Sequence, residues 1–394
     1  MDRRHGTERV LAEVLERLAG KYGCDIHLYA QHVEDLFLGR AVVPSGEECG
    51  QITWHKVPRL PGPHLLGFLW WYFANQALRW FHRRFRSLHY DLVFSPGINC
   101  PDADAIVAHI VFREFFRLVH DELRLRNTAV RSWPLILHRS LYYRLISRLE
   151  NRIYRKPAVA LAAVSRLTAG EITSHFGRSD VTVIPNAVDV SRFNLNERLR
   201  RRASSREALK FSEQDFVLLV VGNDWKKKGL PTLLNAAAEL AEFALRVLVA
   251  GRDNRAPFLA QIHSLNLEGR VCFEESSPDV MQFYAAADVY AGPSLHDSFA
   301  LPPIEAMACG LPVITSVSNG GSQIITEGFD GFILNNPGDS AALAQLVRQL
   351  YQLPDLRRNV GENAARTAQS YTWERTASDT WEFLKEAHAR KSRS

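Results

Sequence analysis

Cysteine is scarce in this chain and unpatterned. Cys24, Cys49, Cys100, Cys272 and Cys309 are scattered, odd in number and free of any CxxC spacing, which argues against a disulfide framework and a zinc site and points to a reducing, cytoplasmic setting. Long apolar runs are missing too: no stretch reaches the roughly 18 residues of a membrane span. The opening MDRRHGTERV lacks the apolar core of a signal peptide. The expectation is a protein neither exported nor membrane-spanning. No low-complexity tract or internal repeat stands out, and no GxGxxG falls between a strand and a helix, which argues against a dinucleotide-dependent oxidoreductase.

What is present is globular. The chain has 394 residues, 46% hydrophobic and 23% charged, enough for two domains that each bury a core. Apolar runs of strand length alternate with helical patterns, the mark of parallel α/β sheets. In the second half DFVLLVVG (215–222), LRVLVAG (245–251), VCFEE (271–275), ADVYAGPS (287–294) and LPVITS (311–316) read as strands. In the first half DIHLYA (25–30), ITWHKV (52–57), YDLVFSPG (90–97), DAIVAHI (104–110) and VALAAVS (159–165) do the same. VTVIPNAVDVSRFN (181–194) breaks the alternation, so domains are expected over 1–190 and 191–370, with a last amphipathic helix over 371–394 packing back on the first.

One element is lacking. The first helix, ERVLAEVLERLAGKYG, begins at residue 8 with no strand ahead of it, whereas a doubly wound domain opens on a strand that feeds a glycine turn. Loss of a central strand leaves the ladders of two neighbours unpaired. The chain is therefore expected to start late, through a misplaced start codon or a truncation.

Two stretches carry chemistry. In VVGNDWKKKGL (220–230) a buried strand ends at Gly222, a polar loop follows, and a helix starts at about Gly229. Backbone N–H groups and the positive helix end then face the space above the sheet beside Lys226, Lys227 and Lys228, an arrangement that suits a diphosphate. A solvated turn is the alternative. In SLHDSFALPPIEAMACGLPV (294–313) Asp297 and Glu305 flank an apolar run that opens a helix near Pro302. Glu305 is expected in the first helical turn, where an acid gains roughly 0.3–1 kcal/mol from the helix dipole and needs no further explanation. Facing one crevice, the two carboxylates would accept from sugar hydroxyls while the amides of 298–301 hold a phosphate, which suits a nucleotide sugar.

Taken with NGGSQIITEGFDGFIL (319–334), IPNAVDVSRF (184–193) and GTERVLAEVLERLA (6–19), these stretches resemble, in order and spacing, the retaining family 4 glycosyltransferases with their Glu-x7-Glu region. The resemblance runs over nearly the whole chain. It implies an α/β chain of the GT-B fold, with two Rossmann-like doubly wound domains facing a cleft and the first strand of the N-terminal domain missing. It implies transfer of a hexosyl group, glucose before others, from a UDP-sugar to a hydroxyl of a lipid-linked or oligosaccharide acceptor.

The resemblance also assigns residues. The candidate catalytic set is Asp297, Glu305, His109 and Lys228: Asp297 on donor-sugar hydroxyls, Glu305 on the ribose, Lys228 on the diphosphate, and His109 lining the sugar pocket from the first domain. Gly222, Asn223, Lys227 and the amides of Phe299, Ala300 and Leu301 would complete donor binding, with Gly6 and Thr7 the remnant of the glycine loop in the first domain. Asp297 replaces the usual glutamate and Asn223 the usual arginine, and GNDWKKKG is nearer to the version in lipopolysaccharide-core glucosyltransferases, a pointer to UDP-glucose. No Asp-x-Asp motif stands at the donor loop, so neither metal nor other cofactor is expected. The alternative is an inactive or truncated sugar-nucleotide binder without turnover.

Charge is uneven. Lys56 to Lys156 holds 17 Lys/Arg against 7 Asp/Glu in a chain of net charge +5. HLLGFLWWYFANQALRWFHRRFRSLHY (64–90) reads as a helix with large side chains nearly all round its first half, suited to burial, and Arg79, Arg83, Arg84 and Arg86 in its second. RSWPLILHRSLYYRLISRLENRIYRK (131–156) repeats the theme. Both are either helices packed on the sheet with solvated charges or a docking face for the inner leaflet of the cytoplasmic membrane. No nucleic-acid recognition motif accompanies them.

Overall fold

The computed structural model describes residues 6–40, 50–119 and 133–393. The chain forms two compact units, Met1–Ile184 with Thr376–Ser394, and Pro185–Arg375. The break falls before residue 190 because VTV of the interrupted stretch pairs as a strand of the first unit.

The first unit contains α1 (Gly6–Tyr22), β1 (Ile26–Ala30), β2 (Gly39–Arg40), β3 (Gln51–Lys56), α2 (His64–Phe85), β4 (Phe94–Ser95) and β5 (Ala105–Ala108). It continues with α3 (Phe112–Val119), α4 (Trp133–Tyr154), β6 (Ala160–Ala163), α5 (Arg166–Phe176) and β7 (Val181–Val183). Its described strands make two separate sheets, ordered β1-β3-β2 and β4-β5-β6-β7. The second is parallel and carries the core: β5 and β6 are buried along their whole length, packed with Ile146 and Ile153 of α4 and Ile172 and Phe176 of α5. Small alanines in both strands let the helices approach closely.

Contrary to the expectation of a buried aromatic helix, α2 buries Asn75, Arg79 and His82 instead. Arg79 meets both Asp102 oxygens at 2.8 and 2.7 Å, and His82 Nδ1 lies 2.7 Å from the Tyr29 hydroxyl. At the opposite end of the neighbouring helix pair, buried Glu150 of α4 accepts the Phe112 and Arg113 N–H groups at 2.7 and 2.8 Å. Those are orphan donors of the first turn of α3, so a carboxylate from another helix caps it.

The second unit contains α6 (Leu195–Ala208), β8 (Phe216–Val221), α7 (Leu230–Ala238), β9 (Leu245–Ala250), α8 (Ala256–Ser264), β10 (Val271–Glu274) and α9 (Met281–Ala286). Then come β11 (Val289–Ala291), α10 (Leu301–Ala308), β12 (Val313–Ser316), β13 (Phe332–Leu334), α11 (Ser340–Gln352) and α12 (Pro354–Ala368). Helix α13 (Trp373–Lys391) begins here and runs on into the first unit, where Trp381 stacks on Tyr22 and Lys391 reaches Asp104 at 2.9 Å. One sheet of order β10-β9-β8-β11-β12-β13 is parallel at every pairing. β8 is buried at all six positions, as a strand covered by helices on both faces must be. The chain runs outward from β8 to β10, then returns to β11 on the other side of β8. The order therefore reverses between β8 and β11, and in open α/β sheets ligands bind beyond the carboxyl ends of the strands at such a reversal.

Candidate active site

The carboxyl end of β8 delivers Gly222 in the left-handed region (φ 135°), and the loop closes on Gly229 (φ 84°), the N-cap of α7. A Cβ at Gly229 would stand 2.1 Å from the Pro293 carbonyl oxygen, so only glycine lets this loop lie against the one after β11. Lys228 folds back over Gly222 and donates from Nζ to Asp297 Oδ2 at 2.6 Å. The two loops at the reversal are thus joined by an ion pair whose side chains are mostly buried.

Asp297 is fixed from several sides. Its N–H donates to Ser318 O at 2.9 Å, its carbonyl accepts from Gly320 at 2.8 Å, and its Oδ1 accepts the Phe299 N–H at 3.2 Å. Asn319, fully buried, accepts the Ala300 and Gly321 N–H groups on Oδ1 and donates to Thr315 Oγ1 at 3.1 Å. Ala300 is the N-cap of α10 and makes no side-chain cap; Asn319 fixes the residue through its N–H instead. The Phe299 and Ala300 amides assigned to the donor are therefore held by protein groups here, and Leu301 is the first residue of α10.

Glu305 departs from its expected place. It is the fifth residue of α10, outside the first turn, and is buried with 5% exposure, its Oε2 accepting from the Tyr284 hydroxyl at 2.7 Å. Helix-dipole stabilisation does not explain it, since α10 has no acid in its first turn. Burial, then the charge of Glu305, pushes the Tyr284 phenol far up, so it donates as a neutral hydroxyl. Tyr290 on β11 is raised by burial, and beyond that by the charges of both Asp297 and Glu305.

The other residues divide. Asn223 turns to the Arg252 N–H at 2.8 Å and ties the β8 and β9 loops together, and Lys227 pairs with Asp224 at 2.5 Å. Lys228 meets Asp297 of the 294–305 stretch, and the Lys227 carbonyl accepts the Leu295 N–H of the same stretch at 2.7 Å. Asn186, buried with Oδ1 unsatisfied and Nδ2 3.5 Å from Phe299 O, sits against the same loop. Asn186 and Asn319 lie in IPNAVDVSRF and NGGSQ without being expected site residues; an Asn ahead of Gly-Gly after a buried strand is the signal that could have found the second. His109, Gly6 and Thr7 belong to the other unit. His109 follows β5, and burial holds its imidazole down to about 4, so it is neutral at pH 7. Gly6 and Thr7 are the first two residues of α1 rather than a loop, and both are exposed. No cluster of three or more metal-ligating side chains occurs among the described residues.

Two α/β units with the reversal of the second carrying a lysine, an acid and a helix start form the GT-B architecture. The crystal structure of WaaG, a glycosyltransferase involved in lipopolysaccharide biosynthesis, matches with a TM-score of 0.75 at 20% identity, over 95% of each chain. Anabaena Alr3699/HepE in complex with UDP and glucose matches with a TM-score of 0.65 at 20% identity, over 97% of this chain and 96% of that one. Residues 4–192 match the Glycosyltransferase Family 4 model and residues 201–367 the Glycosyl transferases group 1 model. The chain belongs to the glycosyltransferases built from these two modules. The D-inositol 3-phosphate glycosyltransferase of Salinispora arenicola is 29% identical over 247 residues, 58% of this chain and 55% of that protein. The match thus spans little more than half the length of this curated relative.

Proposed function

We propose that the chain transfers a hexosyl group, glucose before others, from a UDP-sugar to a hydroxyl of a lipid-linked or oligosaccharide acceptor, with retention at the anomeric carbon. The bond from that carbon to the diphosphate breaks and its electron pair leaves with UDP. The acceptor oxygen forms the new bond, and its proton passes to the departing diphosphate. Unit 2 takes the donor and unit 1 the acceptor.

The observation that carries this reading is the Lys228–Asp297 contact at 2.6 Å across the reversal between β8 and β11. Donor binding exchanges the partners: Lys228 turns to the diphosphate, where it neutralises the charge that grows on the leaving group, and Asp297 is released to accept from sugar hydroxyls. In this reading Glu305, oriented by Tyr284, takes the ribose hydroxyls. The complexes of HepE with UDP and glucose and with UDP-glucose agree with the donor class.

The test is a thermal-shift screen with UDP, UDP-hexoses and NAD, followed by incubation of the best donor with a lipid extract. Stabilisation by UDP-sugars but not NAD, reduced in Lys228→Ala and Glu305→Ala, is expected. Unchanged shifts in both variants would move the donor site elsewhere, and binding without transfer to any acceptor would favour a sugar-nucleotide binder.

A further inference from the structure

Helix α2 is inside out. A helix on the surface of a soluble domain ordinarily turns its apolar stripe inward. Here the inward line at three- and four-residue spacing is Asn75, Arg79 and His82, while the outward line at the same spacing is Leu66, Trp70, Phe73, Ala77 and Trp80. Phe73 is 63% exposed and Trp80 62%. The rotation of the helix is fixed by its polar side: turning the aromatics inward would pull Arg79 from Asp102 and His82 from Tyr29. The apolar outer face is therefore built in.

Charge says what covers it. From Gln51 to Tyr90 the sequence has no Asp or Glu, and α2 ends on exposed Arg84 and Arg86. Helix α4 packs beside α2 through Phe68 and Tyr142, ring centroids 5.9 Å apart, and repeats the pattern. It exposes Leu137 and Leu141 in line with Arg144 and Arg148, and its one acid, Glu150, is buried. A second copy brought face to face would set arginines against arginines. A surface of phosphates over hydrocarbon meets both features: indole and phenyl rings enter the boundary region and guanidinium groups pair with headgroups.

We infer that the outer face of α2, continued on α4, docks this chain on an anionic lipid bilayer. This goes beyond the donor site and does not depend on it, because every residue involved lies in unit 1.

The experiment is co-sedimentation of the full chain with vesicles of phosphatidylcholine alone and of phosphatidylcholine mixed with phosphatidylglycerol. Binding to the mixed vesicles is expected, about tenfold or more above phosphatidylcholine alone and weakened by salt. Phe73→Ser with Trp80→Ser lowers that binding about tenfold, and Arg84→Gln with Arg86→Gln lowers it by a similar factor and removes much of the salt dependence. All these side chains are exposed, so melting temperature and any UDP-induced shift stay at wild-type values, which separates loss of docking from misfolding. Failure of the wild type to bind mixed vesicles, or full binding by the Phe73/Trp80 variant, overturns the proposal. So does a dimer that Trp80→Ser dissociates in the absence of any vesicle binding, which would make the face an interface between copies.

Discussion

The two units solve the same packing problem with different degrees of closure. Unit 2 is one continuous parallel sheet whose central strand is buried at every position; Glu305 and Asn319 are buried at the reversal in strand order, and Arg206 is buried against Asp288 at the amino ends of β8 and β11. Unit 1 divides its described strands between two sheets and buries an arginine, a histidine and a glutamate among its helices. A continuous sheet satisfies its backbone internally and can concentrate polar side chains where a ligand binds. Both units bury an arginine against a carboxylate, but the imidazoles held below their ordinary range lie in unit 1, so unit 1 is the half more sensitive to pH.

That contrast can be tested from its strongest consequence downward. Lys228→Ala removes the lysine paired with Asp297 at the reversal, and the proposed hexosyl transfer, measured with a radiolabelled UDP-sugar, is expected to fall about 100- to 1,000-fold, with the fold of unit 2 retained. Asp102→Ala leaves Arg79 buried without its bidentate partner, and denaturant unfolding of unit 1 is expected to show a loss of about 3 kcal/mol. An effect as small as that of a surface pair would break the comparison.

Acidification is the next lever. His55 and His109 are both held down to about 4, His55 by burial and then by His82 and His27, His109 by burial. In the unfolded chain they take up protons near 6.5, so the stability present above that value is lost as pH falls toward 4. Glu150 works in the opposite sense, because burial raises its carboxyl to about 7 and protonation relieves that cost as pH falls. His82 is lowered as well, so the imidazoles outweigh the one carboxyl, and moving from pH 7 to pH 5 should destabilise unit 1. In unit 2 the Glu197 carboxyl is held near 2 by Arg200 and Arg201 and changes nothing in that window. Amide hydrogen exchange at the two pH values should therefore quicken in β5 and β6 before β8 and β9. The smallest effect is expected at Asp355→Ala, which breaks an exposed pair with Arg358 and should shift stability by less than about 0.5 kcal/mol.

The same contrast decided what could be read from residues alone. DFVLLVVG is apolar throughout because the strand is covered on both faces, so its limits were legible to within a residue at each end, against Phe216–Val221 in the structure. VTV and FIL were not legible as strands, being three residues long and bounded by Pro, Asn and Gly that read as loop. Lys228 and Asp297 could be proposed for one site because each follows a buried strand. That they touch could not be read, since it depends on β11 returning beside β8. Glu305 was misplaced because Pro302 suggested a later helix start, whereas α10 opens at Leu301 and the acid turns to Tyr284. The facing of α2 was hidden by its richness in rings: with large side chains nearly all round, periodicity named no inner side, and only the partners of Arg79 and His82 do.

Helix α13 has one more consequence. The polypeptide passes between the units twice, at Ile184–Pro185 and again at Arg375–Thr376, and nearby the Val188 N–H donates to Tyr371 O at 3.0 Å, stitching the two passages together. Unit 2 is thus an uninterrupted stretch that could be expressed by itself, whereas unit 1 is assembled from two segments that flank it. A protease cutting at Ile184–Pro185 would leave residues 1–184 held to the rest by noncovalent contacts alone, and a nonsense mutation that removed α13 would injure the half that was synthesised first.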